Sequence, residues 1–366
     1  MAHFKVKKKK ILYFAEAFAG GIFTYLCNLS NSLCDDYDIY IAYGIRESTP
    51  NDFKNYFDKR VHLIKVKNYQ REISLKKDLA ALKEMKRIVS DIKPDIVHLN
   101  SSKAGILGRW LFRRSSMPIF YTPHGYSFLM TDVSKKKRAL YFLLEKIFAF
   151  NNVKTIACSE SEYEITKKLT SNATYVNNGI NLAEFEDVTI KPRKRLDNLR
   201  IATLGRISFQ KNPYVFNQIA SALPNVDFTW IGDGDLKDQL TAPNIKITGW
   251  VNNQKALDYL NNADILLFPS LWEGLSMALL EAMYMKKICI VSNVVGNRDV
   301  IKNKKNGFIF DTPTEAINEI KNIMNSKKLP LNLAENAHKD VTNHYSVAKM
   351  SASYNSIYQN SLINQK

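Results

Sequence analysis

Glu273 and Glu281 stand eight residues apart in a stretch, 264–283, whose character changes twice. Ile265 to Phe268 form an apolar run of the length and type of a buried parallel strand. Pro269 and Ser270 end it, and Gly274 breaks the chain again. From Ser276 onward the residues are strong helix formers with apolar side chains on all sides. The expected local structure is strand, bend, helix. A helix starting in such a bend presents the backbone N–H groups around Gly274, Leu275, Ser276 and Met277 and the positive end of its dipole, which suits a phosphate or diphosphate. Eight residues at ~1.5 Å each separate the two carboxylates by roughly 12 Å. One acid can then reach each end of a sugar–diphosphate–ribose ligand whose diphosphate sits between them.

Further groups with chemistry stand where strands are expected to end. Gly205 and Arg206 close the apolar run from Ile201 to Leu204, and Lys211 follows five residues after Arg206, ahead of Asn212 and Pro213. That gap lets two cations converge on one anion from a single loop; two surface cations are the bland alternative. His124 follows the strand-like Pro118 to Pro123. Ligands of open parallel sheets collect at the carboxyl ends of strands, so His124 is placed for function. Gly20 and Gly21 lie between a first strand, Ile11 to Phe14, and a helix from Phe23 to Leu33. A glycine pair there lets backbone approach a ligand, although a tight turn explains it equally well. Asp233-Gly234-Asp235 formally fits an Asp-x-Asp metal motif.

The elements that must hold these groups alternate. Strand-like runs at 39–42, 61–64, 94–100, 155–159, 175–180, 228–232, 245–251 and 288–292 are interspersed with helical segments such as 74–91. Strands and helices in alternation with short connections argue for a parallel, doubly wound α/β sheet. At 366 residues the chain divides naturally into two domains. The expected limits are 1–190 and 191–345, with 346–366 a closing helix that crosses back to the first domain. The basic, proline-containing 191–195 reads as the linker. Hydrophobic content of 45% supports sizeable cores and excludes a disordered chain. No apolar run approaches the ~20 residues needed to cross a bilayer, and the start has no secretory h-region. The four cysteines lack metal or redox spacing and read as small buried residues of a reducing cytoplasm.

The formal charge of +17 calls for an anionic partner: nucleic acid, a membrane surface or a ligand. Between 101 and 150, nine basic residues (Lys103, Arg109, Arg113, Arg114, Lys135, Lys136, Lys137, Arg138, Lys146) face only Asp132 and Glu145. They are interleaved with Trp110, Phe112, Tyr141 and Phe142, a pattern that suits anionic lipid headgroups. A core helix with a charged edge is the alternative. Nucleic-acid binding is not expected, because no recognised module signature appears.

The segment from Glu273 to Met283 resembles the Glu-x7-Glu motif of the retaining glycosyltransferases of family 4, enzymes of the GT-B fold with two Rossmann-like domains facing across a cleft. The likeness extends to Gly205-Arg206…Lys211, to 95–109, to the His124-Gly125 loop, to Asn178-Gly179-Ile180 and to Asn306-Gly307, and runs from about Lys10 to Tyr358. It implies an N-terminal acceptor-binding domain and a C-terminal domain that binds the nucleotide-sugar donor. By the same resemblance Arg206 and Lys211 hold the donor's diphosphate, and Glu281 accepts hydrogen bonds from the two ribose hydroxyls. Glu273 orients hydroxyls of the transferred sugar, His124 contacts the sugar or its surroundings, and Gly20 and Gly21 leave room for the leaving phosphate. Attack on the same face, with the leaving phosphate helping to take the acceptor's proton, requires no metal, so no cofactor is expected. Asp233-Gly-Asp235 resembles the family's "GDGP-L" turn rather than a metal site, with Asp235 where proline is usual. Val295 to Ile301 departs from the usual Gly-Gly-x-Pro-Glu pattern, so no ligand contact is carried over to that loop.

The activity implied is transfer of a hexose or N-acetylhexosamine, from a UDP-sugar with GDP-sugars left open, to a hydroxyl of a lipid-linked oligosaccharide or other saccharide acceptor. Capsule, exopolysaccharide or O-antigen synthesis is the setting, with the protein cytoplasmic and peripheral to the inner face of the cell membrane. A UDP-sugar 2-epimerase of the same fold and a basic nucleic-acid-binding protein are the alternatives.

Overall fold

The structure is a computed structural model that describes residues 7–70, 72–150, 152–186, 188–190, 198–326 and 328–363. The chain divides into two compact units. The first comprises Met1–Phe128, Lys135–Gly179 and Val347–Lys366, the second Leu129–Ser134 and Ile180–Ser346.

Among the described residues the first unit holds seven parallel strands: β1 (Lys9–Ala15), β2 (Tyr37–Tyr43), β3 (His62–Lys65), β4 (Ile96–Asn100), β5 (Ile119–Thr122), β6 (Val153–Ala157) and β7 (Ala173–Tyr175). Their order is β3-β2-β1-β4-β5-β6-β7. The connections are α1 (Gly20–Leu33), α2 (Leu75–Ile92), α3 (Ser102–Leu111), α4 (Lys135–Ile147) and α5 (Glu160–Thr166). Ile11 to Ala15 are fully buried, as a central strand covered on both faces must be. The second unit has β8 (Arg200–Leu204), α6 (Pro213–Ser221), β9 (Asp227–Ile231), β10 (Ile245–Ile247), α7 (Asn253–Asn261), β11 (Ile265–Phe268), α8 (Met277–Tyr284), β12 (Ile288–Ser292), α9 (Asn297–Val300), β13 (Phe308–Phe310), α10 (Pro313–Ser326) and α11 (Leu331–His344). Its strands, also parallel, run β10-β9-β8-β11-β12-β13.

The boundary expected at 190 falls earlier, between Gly179 and Ile180. Ile180 N–H donates to Tyr345 O at 2.9 Å, and the Phe185 ring lies 4.8 Å from that of Tyr284. The strand expected to reach 180 therefore ends at Tyr175, and the turn beyond it belongs to the second core. The linker expected at 191–195 lies outside the described residues. The closing helix, α12 (Val347–Ile363), packs into the first unit's core through Met350, Tyr354 and Tyr358. Tyr358 Oη lies 2.6 Å from His98 Nδ1, and Tyr37 Oη donates to Asn355 Oδ1 at 2.7 Å.

The basic run at 135–138 opens α4, and the charge count over 101–150 changes once the chain is folded. Arg109 and Glu145 are both buried and form an ion pair at 2.6 Å, with the guanidinium 4.2 Å from the Tyr121 ring centroid. Lys103 pairs with Asp78 at 2.8 Å. Neither Arg109 nor Lys103 is therefore free to face a lipid surface. Glu145→Gln should destabilise the protein by roughly 3–5 kcal/mol in urea denaturation, because it leaves Arg109 buried without a counter-charge. The double variant Arg109→Met/Glu145→Leu should recover most of that loss.

Candidate active site

In the second unit the strand order reverses between β8 and β11, and the crevice outside the carboxyl ends of those two strands is where an open α/β sheet takes its ligand. Gly205, Arg206 and Lys211 follow β8, while Glu273 to Met277 follow β11. The loops are stapled across the switch: Leu271 N–H donates to Gln210 O at 2.8 Å, and Gln210 Nε2 donates to Trp272 O at 2.9 Å. Lys211 ends a single 3-10 turn, and Asn212, in the left-handed region at φ 55°, caps α6 through Val215 N–H. These restraints present the ammonium of Lys211 to Glu273, Nζ to Oε1 at 2.7 Å, with the Phe268 ring 4.2 Å beneath it. Glu273 is buried and Lys211 mostly so.

Glu273 lies in the bend, and α8 begins only at Met277. The helical rise used for the sequence spacing therefore applies to the second half of the motif alone. Ser276, at the N-cap, makes no side-chain capping bond, so the first turn is not closed off by a hydroxyl. Gly296, at φ 83°, lies against this bend so closely that a Cβ there would come 2.0 Å from Gly274 O. The loop at 295–297 thus braces the mouth of α8 backbone to backbone, and only glycine fits. Ser270 Oγ and Asn297 Oδ1 are buried beside these loops without a hydrogen-bond partner among the described residues.

Arg206 pairs with Asp235 at 2.7 Å, and Asp233 Oδ1 accepts from Gly234 N–H at 2.8 Å. Both aspartates of the Asp-x-Asp triplet are committed locally. Glu281, on α8, has no such partner among the described residues. Burial, and secondarily the negative charge of Glu184, push its pKa up to about 7. A carboxyl group held near half protonation by desolvation is one that a pair of hydroxyl donors would convert to its charged form.

The first unit brings Gly20, Gly21 and His124 to its own switch point, outside β1, β4 and β5. Gly20 needs its left-handed φ of 55°, and a Cβ on either glycine would meet nothing within 4 Å. The space before the pair is open. His124 also has a positive φ, 55°, in a loop fixed by the buried Glu162. That carboxylate accepts from Gly125 N–H at 2.7 Å and Cys158 N–H at 2.8 Å. His124 Nε2 lies 2.9 Å from Asn100 Oδ1, and the amide of Asn100 donates to His98 O at 3.2 Å. The imidazole therefore carries its proton on Nε2, leaving Nδ1 as an acceptor. Burial lowers its pKa to about 3. His124 is thus neutral at physiological pH, fit to hydrogen-bond a hydroxyl and not to stabilise negative charge. His98 is sealed between Tyr358 and Thr122 as a core residue. Asn100 escaped the sequence reading, though a polar residue ending an apolar strand is a signal that could have found it. The Glu16–Arg46 pair at the end of β1, 2.6 Å apart, carried no comparable signal.

The chain matches the family model described as glycosyl transferases group 1 over residues 185–340 and that of glycosyltransferase family 4 over 19–184. Among curated relatives, the UDP-Gal:alpha-D-GlcNAc-diphosphoundecaprenol alpha-1,3-galactosyltransferase of Escherichia coli is 30% identical, covering 87% of this chain and 89% of its own length. The capsular polysaccharide biosynthesis glycosyltransferase CapM of Staphylococcus aureus is 28% identical, covering 84% of this chain and 86% of its own. Among solved structures, sucrose-phosphate synthase from Thermosynechococcus elongatus superposes with a TM-score of 0.82 at 15% identity, covering 96% of this chain and 99% of that one. The Anabaena protein HepE in complex with UDP-glucose gives 0.74 at 15% identity, with the same coverage.

Proposed function

The chain belongs to the group 1 and family 4 glycosyltransferases and has their GT-B fold, and from that premise we propose that it moves a hexose or N-acetylhexosamine from a UDP-sugar to a hydroxyl of a lipid-linked saccharide, with the donor's α-configuration retained. The observation that supports this reading best is the buried Glu273 holding Lys211 at 2.7 Å beside the start of α8 at the β8/β11 switch point, with Arg206 on the same loop as Lys211. The named activity of the E. coli relative and the UDP-glucose held by HepE favour a UDP-sugar donor. Names of relatives that specify a diphosphoundecaprenol substrate and capsule assembly favour a lipid-linked acceptor.

In the second unit, Lys211 and Arg206 offset the negative charge that develops as the nucleoside diphosphate departs. The first turn of α8 adds oriented N–H donors and the positive end of the helix dipole. Glu281 accepts from the ribose hydroxyls. As Lys211 turns to the diphosphate, Glu273 is released to orient hydroxyls of the transferred sugar. In the first unit, neutral His124 accepts a hydrogen bond from a sugar hydroxyl, and Gly20 and Gly21 keep the approach open. The leaving phosphate takes the acceptor's proton, without a metal. Purified protein incubated with labelled UDP-sugars should transfer label to lipid-linked saccharide extracts. Epimerisation of the donor alone, with no transfer, would replace this reading with that of a 2-epimerase.

A peripheral position on the inner membrane face belongs to the same proposal. No described helix is long and apolar enough to cross a membrane. On α4 only Glu145 is buried, while Leu140, Leu143 and Ile147 are 49%, 52% and 55% exposed, as is Trp110 at 47%. Arg113 stacks 4.0 Å over Trp110, and Lys135 to Lys137 open the helix. Binding to vesicles containing phosphatidylglycerol is expected to fall at least tenfold in Lys135→Glu/Lys136→Glu, since each cation near an anionic surface contributes about 1 kcal/mol. Equal co-sedimentation of variant and wild type would remove this face from the reading.

A further inference from the structure

Arg206 and Lys211 are each paired with a carboxylate, and the two carboxylates are of different kinds. Glu273, the partner of Lys211, is buried, and the proposed function gives it a task toward the sugar. Asp235, the partner of Arg206, is largely exposed. Its position is nonetheless fixed. The loop after β9 is tied to the loop after β8 by Ile207 N–H donating to Asp233 O at 2.8 Å and Leu236 N–H to Ile207 O at 3.3 Å. Trp230 Nε1 donates to Gly205 O at 2.9 Å, one residue from Arg206. With both backbones fixed, the Arg206 guanidinium and the Asp235 carboxylate, Nη2 to Oδ2 at 2.7 Å, need only local side-chain rotation to part and meet again.

We propose that Asp235 is a positioning residue that competes with the diphosphate for Arg206, recovering the guanidinium as the nucleotide leaves and so weakening the enzyme's hold on its nucleotide product. The inference rests on the donor-site reading above. The physics is a counter-ion exchange: binding a diphosphate replaces one anion beside Arg206 with another, and the lost Asp235 contact is subtracted from the gain. An exposed pair contributes roughly 0.2–1 kcal/mol, so removing the competitor should tighten binding by at most about fivefold. Because the pair is exposed, the difference should shrink as salt rises.

The test is calorimetric titration of the full-length wild type, Asp235→Asn and Asp235→Glu with UDP, inorganic pyrophosphate and uridine at low and high salt. Asp235→Asn is expected to bind UDP and pyrophosphate about two- to fivefold tighter at low salt and to release UDP more slowly in stopped flow. Asp235→Glu should stay near wild type, and uridine affinity should not change. A merely structural role would weaken binding or leave it unaltered, so unchanged or weaker UDP binding by a folded Asp235→Asn variant overturns the proposal. An equal gain for uridine overturns it as well. A wild type that binds neither UDP nor pyrophosphate refutes the donor-site reading itself, a result distinguishable from the others.

Discussion

Lys211→Met is expected to lower turnover by roughly two or more orders of magnitude while leaving the second unit folded. Methionine keeps an unbranched apolar stem of similar length, and what is lost is the ammonium 4.2 Å from the Phe268 ring centroid, so packing changes little. What disappears is a mostly buried positive charge, and on the proposed reading electrostatic stabilisation of a departing diphosphate is worth most in such a place. The substitution has a second consequence, because Glu273 is buried and loses its partner. Stability should drop by about 1–3 kcal/mol for that reason alone. The two effects separate in the double variant Lys211→Met/Glu273→Gln, which removes the stranded charge. Melting temperature should return toward wild type, whereas turnover should stay low. A near-normal rate in folded Lys211→Met would take this residue out of the mechanism.

Glu281→Gln should abolish most nucleotide affinity and, at alkaline pH, make the unliganded protein more stable. The two results have one cause. The folded-state pKa of Glu281 is about 7, against an ordinary 4.5, because burial disfavours the charged form. For an acid raised in this way the folded state holds the proton more tightly than the unfolded chain does. The relative stability of the wild type therefore falls as pH rises from about 4.5 to about 7, and above that the folded protein carries a half-buried, unpaired carboxylate. The difference corresponds to at most about 3 kcal/mol. Glutamine removes that cost, so the variant's advantage should be present at pH 8 and absent at pH 5. On the proposed reading, ribose hydroxyls would donate to the carboxylate and favour its charged form. Nucleotide binding to the wild type should thus release a proton near pH 7, seen as buffer-dependent heats in calorimetry, and the variant should lose both the proton release and the affinity. Unchanged nucleotide affinity in Glu281→Gln would contradict the ribose contact.

Much of the fold was legible because it is written locally. Ile265 to Phe268 had to be a buried strand, Pro269 and Gly274 had to break it, and the run from Met277 had to be helical. The same holds for Ile201 to Leu204 before Gly205, and for α12, expected within 346–366 and observed over Val347–Ile363. Each depends on periodicity and on chain breakers, which act within a few residues. The strand expected over 245–251 ends at Ile247, because Thr248 Oγ1 turns to accept from Gly232 N–H and the ladder stops there.

Groups spaced along one loop, one bend or one helix were therefore determined by the sequence alone: Arg206 with Lys211, Glu273 with Glu281, and the parallel sheets that carry them. Tertiary structure decided which charges cancel. Arg109 meets Glu145 across 36 residues, Arg206 meets Asp235 across 29, and Lys211 meets Glu273 across 62. It also decided that His124 is neutral and Glu281 is poised near pH 7, since both follow from what surrounds the group after packing. Backbone preference and hydrophobic period are properties of neighbouring residues. Burial and counter-charge depend on distant segments brought together, which no short window of the chain contains.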